Sequence, residues 1–199
     1  MWRALAVGAM VLGLAAVGAG APGLRINGDA QAWREAAQAL ARLASVRSYR
    51  IHSRSPQGDR MVIEFVNPDR MRMVMAGGQM EMIQVGREQR LRMAGGPWQC
   101  PRGGVTTAPQ VPSATLPEGV MEVTVERGPN AKVGGEETRT YRYWFGPRRE
   151  AVFQLYVSVR TGLPRRMQVL DEQGRVQTTM DYGDFNAPLR IELPPCQLR

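Results

Sequence analysis

A chain of 199 residues, 43% hydrophobic and 22% charged, is long enough to bury a sizeable core and too apolar to be disordered. Its formal net charge is +8, yet the arginines are dispersed among apolar residues and Lys132 is the only lysine. With no run of basic residues, composition gives no argument for a nucleic-acid partner.

The chain opens with Met1-Trp2-Arg3, an apolar run from Ala4 to Val17, and the small residues Gly18 to Ala21. A short positive region, an apolar stretch and a small-residue cleavage region predict a secretory signal peptide over residues 1–21. As a helix the apolar run rises about 21 Å, short of the roughly 30 Å hydrocarbon core, so a signal fits better than an anchor. No cysteine stands near the cleavage region, so there is no lipobox. The expectation is an exported protein, periplasmic or secreted, with a single domain over 22–199. Export argues against nucleic acid. Cys100 and Cys196 are the two cysteines. An even count in an exported chain favours a disulfide, with two free thiols as the alternative.

Residues 22–28 read as a linker. Asp29 is a suitable N-cap, and Trp33, Ala37, Leu40 and Leu43 recur at helical spacing, which predicts an amphipathic helix over Ala30–Ala44. The period then changes to two. Tyr49 and Ile51 alternate with Arg50 and His52; Met61, Ile63 and Phe65 with Val62, Glu64 and Val66; Met71, Met73 and Met75 with Arg70, Arg72 and Val74. Met80 and Met82, then Leu91 and Met93, continue the pattern between turns rich in Gly, Pro, Asn and Asp. Residues 95–119 hold Pro97, Pro101, Pro109, Pro112 and Pro117 and read as a long loop rather than a strand. Alternation resumes at Met121, Val123 and Val125, and again at Tyr141 to Phe145, Phe153 to Val159, Met167 to Val169 and Val176 to Tyr182. Between Val125 and Tyr141, residues 128–135 read as a polar turn. A last strand is expected near Arg190–Leu193.

The fold class is therefore mainly β (α+β). An antiparallel meander of about ten or eleven strands forms an incomplete barrel wrapped around one N-terminal helix.

Three groups of motifs resemble a known family. The helix is followed by Val46-Arg47-Ser48-Tyr49. A corner follows at Phe65-Val66-Asn67-Pro68-Asp69-Arg70-Met71-Arg72. The C-terminal part carries Leu155-Tyr156-Val157-Ser158, Thr161-Gly162-Leu163-Pro164 and Tyr182-Gly183-Asp184-Phe185-Asn186, ahead of Pro188 and Ile191. Together these resemble the LolA-like, LppX/LprG-like periplasmic lipoprotein-carrier superfamily. The resemblance implies a half-open β-barrel that takes acyl chains inside. It implies a lipid, or the acyl chain of a lipoprotein, as the partner. Because the superfamily also includes a domain of a sigma-factor regulator, it leaves open an envelope regulatory or assembly module that binds a protein partner.

The methionine-rich stretch from Met61 to Met93 is the candidate site. Thioether side chains are flexible and polarizable, and suit an irregular core, an apolar cavity or a soft-metal site. In the cavity reading the lining is Trp33, Leu40, Met61, Ile63, Phe65, Met71, Met73, Met75, Met80, Met82, Leu91 and Met93. The proline-rich 97–117 stretch would gate it or dock a partner. A Met-rich Cu(I)-binding protein is a further alternative. The arginines on the other strand face (Arg70, Arg72, Arg90 and Arg92) form a charged solvent face or make peripheral contact with anionic headgroups. His52 is the only histidine. No nucleophile elbow, phosphate loop, CxxC or zinc spacing occurs. Asp181 and Asp184 flank Tyr182, where they read as solvated acids. The expectation is a non-enzymatic protein with no catalytic residue, no cofactor and, in the main reading, no metal.

Overall fold

The structure is a computed structural model in which residues 24–101 and 122–198 are described. The signal-peptide segment and most of the proline-rich stretch lie outside the described residues. In chain order the elements are β1 (Arg25–Gly28), α1 (Ala30–Ala41) and a 3-10 turn (Arg42–Ser45). Then come β2 (Ser48–Arg54), β3 (Arg60–Val66), β4 (Arg70–Met75), β5 (Met80–Val85), β6 (Glu88–Met93) and β7 (Gln99–Cys100). After residue 121 follow β8 (Glu122–Val133), β9 (Glu136–Phe145), β10 (Val152–Ser158), β11 (Pro164–Leu170), β12 (Val176–Gly183) and β13 (Gln197–Leu198). The fold class is mainly β with one α-helix, as the two periods in the sequence predict.

The chain divides into two compact units, one drawn from Met1–Ser45 and Pro112–Met180, the other from Val46–Val111 and Asp181–Arg199. In the first, the strand order is β1-β8-β9-β10-β11. Helix α1 begins where predicted. The Asp29 carboxylate accepts from the Ala32 amide at 2.9 Å, and the Asp29 amide donates to the Val125 carbonyl at 3.0 Å. The helix buries Ala32, Trp33, Ala36, Ala37, Ala39 and Leu40. Four of these are alanines, so its backbone can lie close to the sheet. Trp33 is the one large anchor, edge-on to Tyr143 and Phe145 with ring centroids 5.7 and 6.5 Å away. Tyr143 in turn stacks on Phe153 at 5.3 Å. Val123, Val125 and Leu155, all fully buried, complete this core.

Two features of this unit differ from the expectation. Residues 25–28 are a strand, not a linker, paired in parallel with β8 from Arg25↔Glu122 to Gly28↔Val125. Four residues are too few to show a period, and the pairing is supplied by a strand about a hundred residues away. The polar stretch 128–133 is the second half of β8, with a register shift between Gly128 and Ala131. Pro129 sits within that irregularity, where a missing ladder donor is tolerated, and only Gly134-Gly135 makes the turn.

The second unit is a meander. β2 to β6 pair in sequence order, antiparallel and without a register shift. Its far edge differs from the expectation. Gln99–Cys100 is a short strand inside the stretch read as loop, pairing with Leu91 on one side and in parallel with Gln197–Leu198 on the other. The strand expected at 190–193 is instead irregular chain. Pro188, Pro194 and Pro195 remove ladder donors there, and the Ile191 carbonyl accepts from Arg70 Nη1 at 2.9 Å. Cys100 and Cys196 form a disulfide with Cα atoms 5.7 Å apart, so the bridged alternative of the two cysteine readings holds.

Candidate ligand-binding face

The register of β2 to β6 sorts their side chains into two faces, because alternate residues of a strand share a face and cross-strand partners lie side by side. Three rows form one face. Ser53, Met61, Met75, Met80 and Met93 are successive partners. Beside them run Ile51, Ile63, Met73, Met82 and Leu91, and then Tyr49, Phe65, Met71, Gln84 and Gln89. None of these carries a charge. Every Arg, Glu and His of the five strands falls on the opposite face.

Ten of the twelve residues expected to line the site, Met61, Ile63, Phe65, Met71, Met73, Met75, Met80, Met82, Leu91 and Met93, are thus brought onto one surface. The other two, Trp33 and Leu40, belong to the first unit, where both are buried. Exposure grades across the face. Phe65 and Met71 are 1% and 5% exposed, and Tyr49 stacks on Phe65 at 4.8 Å. Ile51 and Ile63 are buried as well, Met61, Met73, Met75, Met80 and Met82 are half-buried, and Met93 is 53% exposed. Burial pushes the Tyr49 hydroxyl well above its ordinary range, which keeps it neutral on a neutral face. Gln84 and Gln89 are members the sequence reading missed. Gln89 Nε2 donates to the Met82 sulfur and Gln84 Nε2 to the Gly86 carbonyl at 3.2 Å. Strand parity with Met80 and Met93 was the signal that could have found them.

The opposite face holds a ladder of alternating charge. Arg50 Nη2 donates to Glu64 Oε1 at 2.7 Å and Arg72 Nη1 to Glu64 Oε2 at 3.2 Å. Arg72 Nε then donates to Glu81 Oε1 at 2.6 Å and Arg92 Nε to Glu81 Oε2 at 2.7 Å. Asp184 pairs with Arg50 at one end, and the Arg92 guanidinium lies 4.7 Å from the Trp98 ring centroid at the other. The Glu81 side chain is only 5% exposed. Burial alone would raise its pKa, but hydrogen bonds from Arg72 and Arg92 outweigh it and hold the carboxyl below its ordinary value. These contacts give the four arginines partners within the protein. Arg72 and Arg92 are committed to carboxylates, Arg70 to a carbonyl, and Arg90 to Glu88 and the Gln89 carbonyl. The paired acids are engaged likewise, with Asp181 accepting from Arg54 at 2.7 Å.

No family model matches the chain. No curated protein matches it either. Among solved structures, MucB is similar at 18% identity over 82% of this chain and 61% of its own, with a TM-score of 0.47. The MucA/MucB complex of Pseudomonas aeruginosa is similar at 16% identity, over 78% and 54%, with a TM-score of 0.45. A LolA superfamily protein from Nitrosomonas europaea is similar at 13% identity, over 82% and 94%, with a TM-score of 0.31. The chain spans little more than half the length of the MucB structures. Among the described residues no helix is long and apolar enough to cross a membrane.

In the first unit the notable cluster is structural. Glu35 on α1 accepts from Arg127 at 3.0 and 3.2 Å and from the Tyr141 hydroxyl at 2.5 Å. Hydrogen bonds from Arg127 and then Tyr141 lower the Glu35 pKa to about 2. Burial, then the bond to Glu35, raises Tyr141 to about 12. With the two groups driven apart in this way, on a latch between helix and sheet, the carboxylate stays ionised and the phenol keeps its proton.

Proposed function

We propose that this chain is an exported, non-enzymatic envelope protein that carries or senses an acyl chain on the uncharged face of β2 to β6. The partner is a lipid or the acyl chain of a lipoprotein. One observation carries the reading: the charges of five adjacent strands are confined to one face, and the other presents six partly exposed methionines with Leu91. A methylene chain has no polar group to match, so the best surface is apolar, wide and adaptable. Thioethers meet that need, since their three torsions let them follow a flexible tail. Each buried methylene contributes about 0.8 kcal/mol. Gln89, half-buried at the margin, supplies a neutral hydrogen-bonding group for an ester or amide near a headgroup.

Native mass spectrometry of protein purified from the periplasm tests this. The expected result is a mass increment that organic extraction removes and identifies as lipid. Met82→Arg, which places a charge in the centre of the face, abolishes the increment while circular dichroism stays unchanged. A wild-type protein that arrives without lipid and takes up no fluorescent fatty acid overturns the reading. The second reading, a regulatory or assembly module, is favoured by Met93, an exposed apolar residue at the open end of the face. A co-purifying protein that Met93→Asp releases, in place of lipid, would establish it.

A further inference from the structure

Met61, Met75, Met80 and Met93 are consecutive cross-strand partners over β3, β4, β5 and β6. Neighbouring strands lie about 4.8 Å apart, so four thioethers stand in one row on one face. Met73 and Met82, themselves partners, flank the row from the next register position. Apolar packing alone does not require four thioethers in register, although buried Met167 and Met180 place methionine in the core of the first unit as well. Strands favour β-branched and aromatic side chains, and the first unit packs its sheet with Val123, Val125, Tyr141, Tyr143, Phe153 and Leu155. Every member of the row keeps partial exposure, so the row is not sealed within a core.

We infer that this row is a binding site for a soft monovalent cation, Cu(I) or Ag(I), held by thioethers centred on Met75 and Met80. Thioether sulfur is a soft donor that selects Cu(I), whereas Mg²⁺, Ca²⁺ and Mn²⁺ require oxygen ligands. The face carries no carboxylate and no imidazole. The cysteines are joined to each other, and free cysteines are absent among the described residues. A neutral ligand set also tolerates one positive charge better than two. Met75 has Met61 and Met80 on either side, and Met80 has Met75 and Met93. Three sulfurs from adjacent strands can therefore lean towards the central one, a movement the unbranched side chain allows. The inference concerns binding alone and involves no electron transfer.

The test keeps metal and lipid apart. Met75→Leu/Met80→Leu preserves volume and apolarity, so it preserves the fold, checked by circular dichroism, while removing two sulfurs. Wild-type protein with its disulfide intact is titrated anaerobically with Cu(I) under ascorbate, with bicinchoninate as the competing chelator. One Cu(I) per chain should be withdrawn from the chelator, and X-ray absorption should show a shell of sulfur only. The double variant should bind on the order of 100-fold more weakly or worse. Failure to withdraw Cu(I), equal binding by the double variant, or a nitrogen or oxygen shell overturns the inference. Loss of lipid binding in wild type with Cu(I) binding retained would defeat the acyl reading alone.

Discussion

Glu35 joins the helix of the first unit to its sheet through Arg127 and Tyr141. Its folded pKa of about 2 lies below the ordinary 4.5, so the ionised form is the one the fold favours. The sign follows from linkage: this contribution is fully present above about pH 4.5 and is lost as the pH falls from there towards 2. Glu35→Gln removes the titration but keeps an acceptor for Tyr141. Thermal unfolding followed across this pH window should show a shallower acid slope in the variant than in wild type. An identical slope would assign the acid response to other carboxylates. Glu81 is the counterpart in the second unit: burial raises its pKa, but the Arg72 and Arg92 contacts hold it below the ordinary value, so its contribution has the same sign and is lost as the pH falls.

At the scale of the element, β1 depends on one glycine. Gly28 has φ of 81°, and a Cβ there would overlap the Val125 carbonyl oxygen, the same oxygen that receives the Asp29 amide. Gly28→Ala should cost on the order of 1–3 kcal/mol, read from urea unfolding, with early loss of amide protection in Ile26 and at the start of α1. A neutral substitution would mean that β1 is not held to β8 in solution. The elements that could be read from the sequence and those that could not divide along the same line. Helix α1 and strands β2 to β6 announce themselves by period, because each keeps its own apolar spacing over six residues or more. Strands β1, β7 and β13 are two to four residues long and owe their existence to partners remote in sequence. The candidate face was legible through parity alone. The charge ladder behind it was not, because Arg72 and Glu81 meet across a diagonal that only the register defines.

At the scale of the whole molecule, one covalent link closes a long part of the chain. The Cys100–Cys196 bridge joins residues 96 apart in sequence and fastens the irregular C-terminal segment to β7. Chain-entropy arguments give such a closure at most about 4–5 kcal/mol. Cys100→Ser/Cys196→Ser should lower the unfolding midpoint. Hydrogen exchange should quicken first around Ile191 and β7, while β8 to β10 keep their protection. A uniform loss would show that the two units unfold as one. The partition of charge by strand parity also bears on how such a gene can change length. A single codon inserted early in β4 or β5 would turn every following side chain of that strand over, aiming Arg72 or Glu81 at the methionine rows of its neighbours. Two codons would restore the alternation. Length variation inside these strands is therefore confined to even steps, whereas the turns between them accept any number.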